Sequence, residues 1–422
     1  MPEDRYRTLI VASHPVPYAV PVFRALTRHP RLDLHVAFCS LRGAQPAHDP
    51  EFGASVQWDV PLLEGYSWSH IRNRGSGRES FFGLYNPGLW RLIRRGGFDA
   101  ILCHLSYLSA SFWVAFFAAR LSGTAFLFGT DASSLAPRDG ARWKFWVKRA
   151  MWPRLFGLAD CVIFPSSASG EMMLELGIPR EKLCLTPFVI DNDWWADQAS
   201  RSDRLATRAG WEVSEQDLVV LFSAKLQSWK RPLDLLRAFA AAAVPDSVLV
   251  FAGEGPQRGE IESEAGALGI ASRIRLLGFV NQSQLPSVYS GADLFVLPSS
   301  YDPCPVVVCE AMVCGLPVLI SDEIRGRFDI VQQGVTGGIF PCGDVGALAE
   351  KLRCLLGDRT RLAALGTNAR ARMATWSLRE NVAATFEAIR KAVSLRGSRF
   401  KEVVAGSPAP GTPPATPHKS QD

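Results

Sequence analysis

Two doubly wound α/β domains facing each other across a cleft are the fold this sequence predicts, and three features predict it. Short β-branched runs alternate with helical stretches along most of the chain, an order that builds parallel sheets with helices on both faces. A polar stretch, Ala199–Glu215, splits the alternation into two series. The length of 422 residues lets each series bury a core of its own.

In the first series the runs Thr8–Ala12, Leu32–Phe38, Asp99–Cys103, Thr124–Phe128, Asp160–Phe164 and Lys182–Thr186 predict strands. Helical stretches fall between them at Val20–Arg28, Tyr107–Leu121, Arg142–Phe156 and Ala168–Leu176. In the second series the strands are Asp217–Ser223, Ser247–Ala252, Arg273–Leu277, Asp293–Leu297 and Pro317–Ile320. Their helices are Pro232–Ala243, Gln257–Leu268, Gln284–Ser290, Val306–Cys314 and Gly343–Leu356. The predicted division is a first domain over 1–198, a linker over 199–216 and a second domain over 217–380. A helix over 381–395 is expected to return to the first domain. A tail over 396–422, rich in Pro, Ser, Thr and Ala from Gly406 onward, is expected to be disordered.

Composition narrows the function. Hydrophobic residues make up 47% and charged residues 21%, as in ordinary soluble globular proteins. The basic excess of 46 − 41 = 5 suits anionic substrates or a negatively charged membrane surface and does not call for nucleic acid. Nine cysteines form no C-x-x-C pair and no metal-ligand spacing. They sit in apolar runs such as Ile101-Leu102-Cys103, where Cys acts as a small hydrophobe. A reducing, cytoplasmic setting is therefore expected. Met1–Arg7 is charged and shows no signal peptide. The most apolar stretch, Ser109–Leu121, is shorter than the ~20 residues a spanning helix needs.

The densest chemical signal lies between Ser223 and Glu310. Lys225 and Lys230 occupy a strand-to-helix loop that ends at Pro232, a residue favoured in a first helical turn. Two lysines five residues apart in such a loop can converge on one anion, for example a departing diphosphate. Gly253 and Gly255, in Phe251-Ala252-Gly253-Glu254-Gly255-Pro256, mark a second strand-to-helix turn where the backbone can approach a ligand closely. Asp302 lies in a third such loop, followed by Cys304, Pro305 and Val306 at the start of a helix. That helix start offers free amides and a positive dipole end to a phosphate. Glu310 sits inside the same helix among Val308, Cys309, Ala311 and Met312. A buried acid there is costly unless something satisfies it. Either it caps a neighbouring loop or it serves a ligand.

The run Gly291-Ala292-Asp293-Leu294-Phe295-Val296-Leu297-Pro298-Ser299, with Glu310-Ala311-Met312-Val313-Cys314-Gly315-Leu316-Pro317-Val318, resembles glycosyltransferase family 4. These are retaining group 1 enzymes of the GT-B fold, built of two Rossmann-like domains. The resemblance is continuous from about Asp217 to Trp376 and looser in the first half, where it rests on Ala159 through Ser166 and on Val189-Ile190-Asp191. It implies that Glu310 holds the nucleotide ribose and that Asp302, at a position usually Glu, faces the donor sugar. Lys225 falls where the family usually has Arg, and Lys230 at its phosphate-binding Lys. The usual Gly-Gly loop after the first strand is replaced by Ser13-His14-Pro15-Val16-Pro17-Tyr18, and Arg325-Gly326-Arg327 stands where a later glycine pair is usual. Backbone groups around Gly278-Phe279-Val280 are the expected base-recognition segment.

On the acceptor side His14 and Asp131 fall on cleft-facing loops, Asp131 at a position where the family often has a sugar-contacting His, and His104 closes another strand. Each is also readable as a locally satisfied loop residue. The segment from Arg142 to Arg154 mixes basic and aromatic side chains, with Trp143, Trp146 and Val147 on one helical face. It fits a bilayer interface and equally a packed helix with a basic flank. Asp191-Asn192-Asp193 has the form of a D-x-D metal site, yet it matches the family's hinge segment. Neither metal nor other cofactor is expected; the nucleotide sugar is the substrate. The reading is a retaining hexosyltransferase acting on a glycan or lipid-linked acceptor, in cell-surface glycan or glycolipid synthesis, cytoplasmic or peripheral at the inner membrane face. A phosphorylase or hydrolase on the same fold, and a non-catalytic nucleotide-sugar binder, stay open.

Overall fold

Tyr6–Ala12 is the pivot of a seven-stranded sheet in the computed structural model, which describes residues 5–49, 54–78, 80–136, 141–303 and 305–405. Cys304 and the expected tail beyond 405 lie outside the described residues. The sheet runs in the order Trp68–His70, Leu32–Phe38, Tyr6–Ala12, Ala100–Cys103, Ala125–Gly129, Cys161–Phe164, Leu183–Leu185. Every pairing in it is parallel. A second sheet of six parallel strands repeats the plan: Ile274–Gly278, Ser247–Ala252, Leu218–Ser223, Leu294–Leu297, Val318–Ser321, Gly337–Phe340.

Parallel sheets covered on both faces need inner strands that are apolar, as Ala100–Cys103, Cys161–Phe164 and Leu294–Leu297 are. Leu9 and Val11 enter one core of the first domain with Phe112, Phe126 and Phe156. Ile10 points the other way, into a core with Phe23, Val36 and Leu102. The alternation is the pleat expressed in packing. Val219 to Phe222 are fully buried in the second domain.

The edge strands Trp68–His70 and Gly337–Phe340 were not expected. The first is three residues long, and the second opens on two glycines, which weaken any strand pattern. The stretch expected as a polar linker is built differently too. It contains the end of helix Asn192–Arg201 and the whole of helix Arg204–Gly210, and Ala199, Trp211 and Val213 belong to the second domain's core. Its polarity is spent internally. Arg208, 1% exposed, donates to the carbonyls of Gly291, Glu215 and Asp217 at 2.9 Å and pairs with Asp293 at 2.6 Å, and Arg204 reaches the same carboxylate at 2.6 Å. The last helix, Leu378–Ala405, runs on through 396–405, a stretch assigned from sequence to the tail. Phe386, Ala388, Ile389 and Ala392 bury it against the first domain's sheet.

In both sheets the strand order reverses between the first and fourth strands, and ligands of doubly wound folds bind at the carboxyl ends beside that reversal. The loops after these strands are fitted tightly in the second domain. A Cβ on Gly253 would lie 2.0 Å from the Ala224 carbonyl oxygen, and one on Gly255 2.6 Å from that of Leu226. Gly253→Ala is therefore expected to lower stability by about 1–3 kcal/mol in denaturant unfolding, as overpacking does, and to weaken binding at the loop it displaces. A variant as stable as the parent would show that the two loops are not in register as described.

Candidate active site

The strand Leu218–Ser223 ends beside Leu294–Leu297, and the loops that follow them carry the first pair of charged candidates. Lys225 opens the loop, and a short turn, Ser228–Lys230, delivers Lys230 just before helix Pro232–Ala242. Lys230 Nζ lies 2.6 Å from Asp302 Oδ2, with the two side chains 18% and 10% exposed. The neighbouring backbone is pinned, since the Ser300 amide donates to the Trp229 carbonyl at 2.8 Å and the Arg325 amide to that of Asp302 at 3.1 Å. Lys230 and Asp302, 72 positions apart in the chain, thus form one charged unit at the reversal of strand order.

Glu310 lies one turn into helix Val306–Val313, 5% exposed. The hydroxyl of Tyr289, itself fully buried, donates to Glu310 Oε2 at 2.8 Å. Burial pushes the Glu310 carboxyl up to about 7, against the pull of the Tyr289 hydrogen bond. Burial, then the Glu310 charge, holds the Tyr289 phenol well above its ordinary value, so it stays a donor. Among the described residues Tyr289 is the one hydrogen-bond partner of this carboxylate. An acid capping a neighbouring loop would accept from that loop's amides, and Glu310 does not. Buried carboxylates carry more acceptor capacity than one phenol fills, so the geometry favours a ligand.

Around this pair stand the remaining second-domain candidates. The Glu254 carbonyl, between Gly253 and Gly255, accepts from the Leu226 amide at 2.8 Å and ties the glycine turn to the lysine loop. Pro305 precedes the helix with extended backbone, and no side chain of the described residues caps the amides at Val306. Phe279 packs against Trp58 of the first domain with ring centroids 5.9 Å apart. The domains also meet where Asn281 donates to the Gln57 carbonyl at 2.8 Å and where the Ser167 amide donates to Asp329 at 2.9 Å.

The first-domain candidates line a different space. His14, His104 and Asp131 all face a cavity of about 720 Å³ at the carboxyl ends of the first sheet. Ser13 Oγ lies 2.9 Å from His14 Nδ1. His104 keeps an exposed face towards the cavity, while the protein packed around its ring lowers it below the usual histidine value. Tyr18 is 39% exposed, and the protein around its phenol, then the Asp131 charge, raises it above its ordinary value. Tyr301, adjacent to Asp302, contributes to the same wall and brings the cavity up to the second domain's charged pair. Tyr18, Tyr289 and Tyr301 were missed from sequence. Tyr289 alone left a signal, the one hydroxyl on an otherwise apolar helix Leu285–Gly291 face, since a buried phenol wants a partner.

The D-x-D segment is used structurally. Asp191 caps helix Asn192–Arg201 by accepting from the Trp194 amide at 3.1 Å, and Asn192 donates to the Met373 carbonyl at 2.8 Å. Among the described residues no three His, Cys, Asp or Glu side chains gather as a metal-holding group.

Two sequence families match the chain: the Glycosyl transferases group 1 family over residues 203–372, and a Glycosyl transferase 4-like domain over residues 15–189. An alpha-D-kanosaminyltransferase of Streptomyces kanamyceticus is 26% identical over 202 residues, 47% of this chain and 52% of that protein. A D-inositol 3-phosphate glycosyltransferase of Nocardia farcinica is 31% identical over 229 residues, 52% of this chain and 50% of that protein. The chain thus spans about half the length of these relatives. In overall structure it resembles Anabaena Alr3699/HepE, solved in complex with UDP and glucose, with TM-score 0.67 at 18% identity over 95% of this chain and 100% of that one. A glycosyltransferase from Rickettsia africae gives TM-score 0.70 at 15% identity, over 92% and 99%.

Proposed function

The chain belongs to the group 1 glycosyltransferases, and from that premise we propose that it moves a hexosyl group from a nucleoside-diphosphate donor to an acceptor hydroxyl with retention. The observation that carries this reading is the buried, under-partnered Glu310 carboxylate in the helix whose preceding loop holds Asp302 against Lys230. Glu310 accepts from the ribose hydroxyls. Lys225, Lys230 and the helix start at Val306 stabilise the diphosphate as the bond from anomeric carbon to phosphate oxygen breaks. Asp302 orients the donor sugar. The acceptor hydroxyl adds to the face from which the diphosphate leaves, and its proton passes to a phosphate oxygen of the leaving group. The chain supplies the positive charge this step needs, so the transfer is proposed to be metal-independent, with no further cofactor.

The acceptor is seated in the first-domain cavity, with His14, His104 and Asp131 on its polar side. We place the reaction at the cytoplasmic face of a membrane, on a glycan or lipid-linked acceptor of cell-surface synthesis. A thermal-shift screen across UDP-, GDP-, ADP- and TDP-sugars tests the donor half, because a ligand of the folded state raises Tm by mass action. UDP-sugars come first, since the Anabaena neighbour is described with UDP and glucose. One donor series raising Tm, followed by product with unchanged anomeric configuration in NMR, is the expected result. Donor consumed equally with water or inorganic phosphate in place of an acceptor would make the protein a hydrolase or phosphorylase instead.

A further inference from the structure

The helix Arg142–Gly157 presents two very different faces. Trp152, Leu155 and Phe156 are buried in the first domain's core. On the outside Trp143 is 64% exposed, Trp146 66%, Val147 47% and Met151 39%. Two tryptophans this exposed on one helix leave a large apolar area in water, the mark of an interaction site. The helix also carries Arg142, Lys144, Lys148, Arg149 and Arg154 and no acidic residue. Lys144 and Lys148 lie over the rings of Trp143 and Trp152, at 5.7 and 5.1 Å from the centroids.

The exposed apolar surface continues beyond this helix. Leu108 is 62% exposed, and the adjoining Tyr107 hydroxyl accepts from Trp152 Nε1 at 3.0 Å, which fastens that loop to the helix. Phe82, 66% exposed, neighbours Phe81, whose carbonyl accepts from the Ala110 amide two residues after Leu108. Leu108 also lines the first-domain cavity, together with Tyr107, Lys148 and Trp152. One mouth of the cavity therefore opens where the exposed aromatic and basic side chains gather.

We propose that this face docks on the surface of an anionic lipid bilayer and that a lipid-linked acceptor enters the cavity past Leu108. Interleaved Trp and Arg suit the headgroup level, where amphipathic rings and cations both find partners. An all-basic helix complements anionic headgroups and would repel a second copy of itself. Among the described residues no helix is long and apolar enough to cross a membrane. The acceptor half of the proposal rests on the transferase reading above; the docking half does not.

The test is flotation of the full chain with vesicles of phosphatidylcholine alone and of phosphatidylcholine mixed with phosphatidylglycerol. Binding is expected only with the anionic vesicles and should fall as salt rises. The double variant Trp143→Ser/Trp146→Ser and the charge reversal Arg142→Glu/Arg149→Glu are each expected to weaken it about tenfold or more. Both should keep the wild-type thermal shift with nucleotide sugars, which reports an intact second domain and separates a docking failure from failure of the transferase reading. Wild-type protein that stays with the aqueous phase would overturn the proposal. So would variants that float like the parent, or a wild-type dimer in solution that Trp143→Ser/Trp146→Ser converts to monomer.

Discussion

Glu310→Gln is expected to weaken donor binding about 100-fold and yet to be at least as stable as the parent above pH 7. The Glu310 carboxyl rises from an ordinary value of 4.5 to about 7 because burial penalises its charge. A folded value above the unfolded one means the fold prefers the protonated acid. That preference is fully present below pH 4.5 and is lost as pH climbs towards 7. Above pH 7 the protein carries the whole cost of a buried charge, about 3 kcal/mol at 1.36 kcal/mol per unit. Glutamine carries no such cost, and its carbonyl can still accept from Tyr289. Thermal unfolding from pH 5 to 8 should therefore show the variant gaining on the parent as pH rises.

Binding moves the other way. Hydrogen bonds to a charged acceptor contribute about 1.5–3 kcal/mol each against about 1 for neutral ones, so losing two at the ribose weakens the donor about 100-fold. In the parent, donor affinity should rise with pH through about 7 as Glu310 ionises, and in Glu310→Gln it should be flat. A variant less stable than the parent at pH 8 would mean the carboxylate holds the fold, and normal donor affinity would remove it from the site.

The difference between what the sequence disclosed and what it hid follows from the range of the interactions. The inner strands of both sheets were legible because a parallel strand covered on two faces is apolar, as Leu218–Phe222 is, whereas the edge strands Trp68–His70 and Gly337–Phe340 carry no such run. The placement of Lys225, Lys230 and Asp302 in loops after strand ends, and of Glu310 inside the helix that follows, was legible from the alternation of strand and helix patterns. Their partners were not. Lys230 meets Asp302 across 72 positions, and Glu310 meets Tyr289 across 21, between elements whose approach only the assembled sheet decides. The internal structure of the stretch 199–216 was hidden for a related reason. Its polarity looked like solvation, whereas Arg208 is buried and fully engaged with carbonyls and with Asp293, 85 positions away. Nor does composition separate an outward Trp146 from an inward Trp152; their exposures of 66% and 4% are set by which face of the helix meets the core.

The two ends of the Lys230–Asp302 pair are expected to give opposite results. At 2.6 Å and largely sheltered from water, each charge is the other's main compensation. A diphosphate that recruits Lys230 must compete with Asp302 for it. Lys230→Ala removes the cation and leaves Asp302 repelling phosphate, so affinity for the nucleoside diphosphate alone should fall. Turnover should drop about 10³-fold, the scale of losing one preorganised charge-stabilising donor. Asp302→Asn frees Lys230, so the same nucleoside diphosphate should bind as well as before or more tightly. Transfer should nonetheless be lost, because the group that orients the sugar is gone. Titration calorimetry with the diphosphate, beside initial rates with the donor identified by thermal shift, separates these effects. In the double variant the losses should not add, since the members share one network. If both single variants lost diphosphate affinity equally and unfolded at lower temperature, the pair would be a structural clamp between two loops. The charge that meets the leaving group would then have to come from Lys225 and the helix start at Val306.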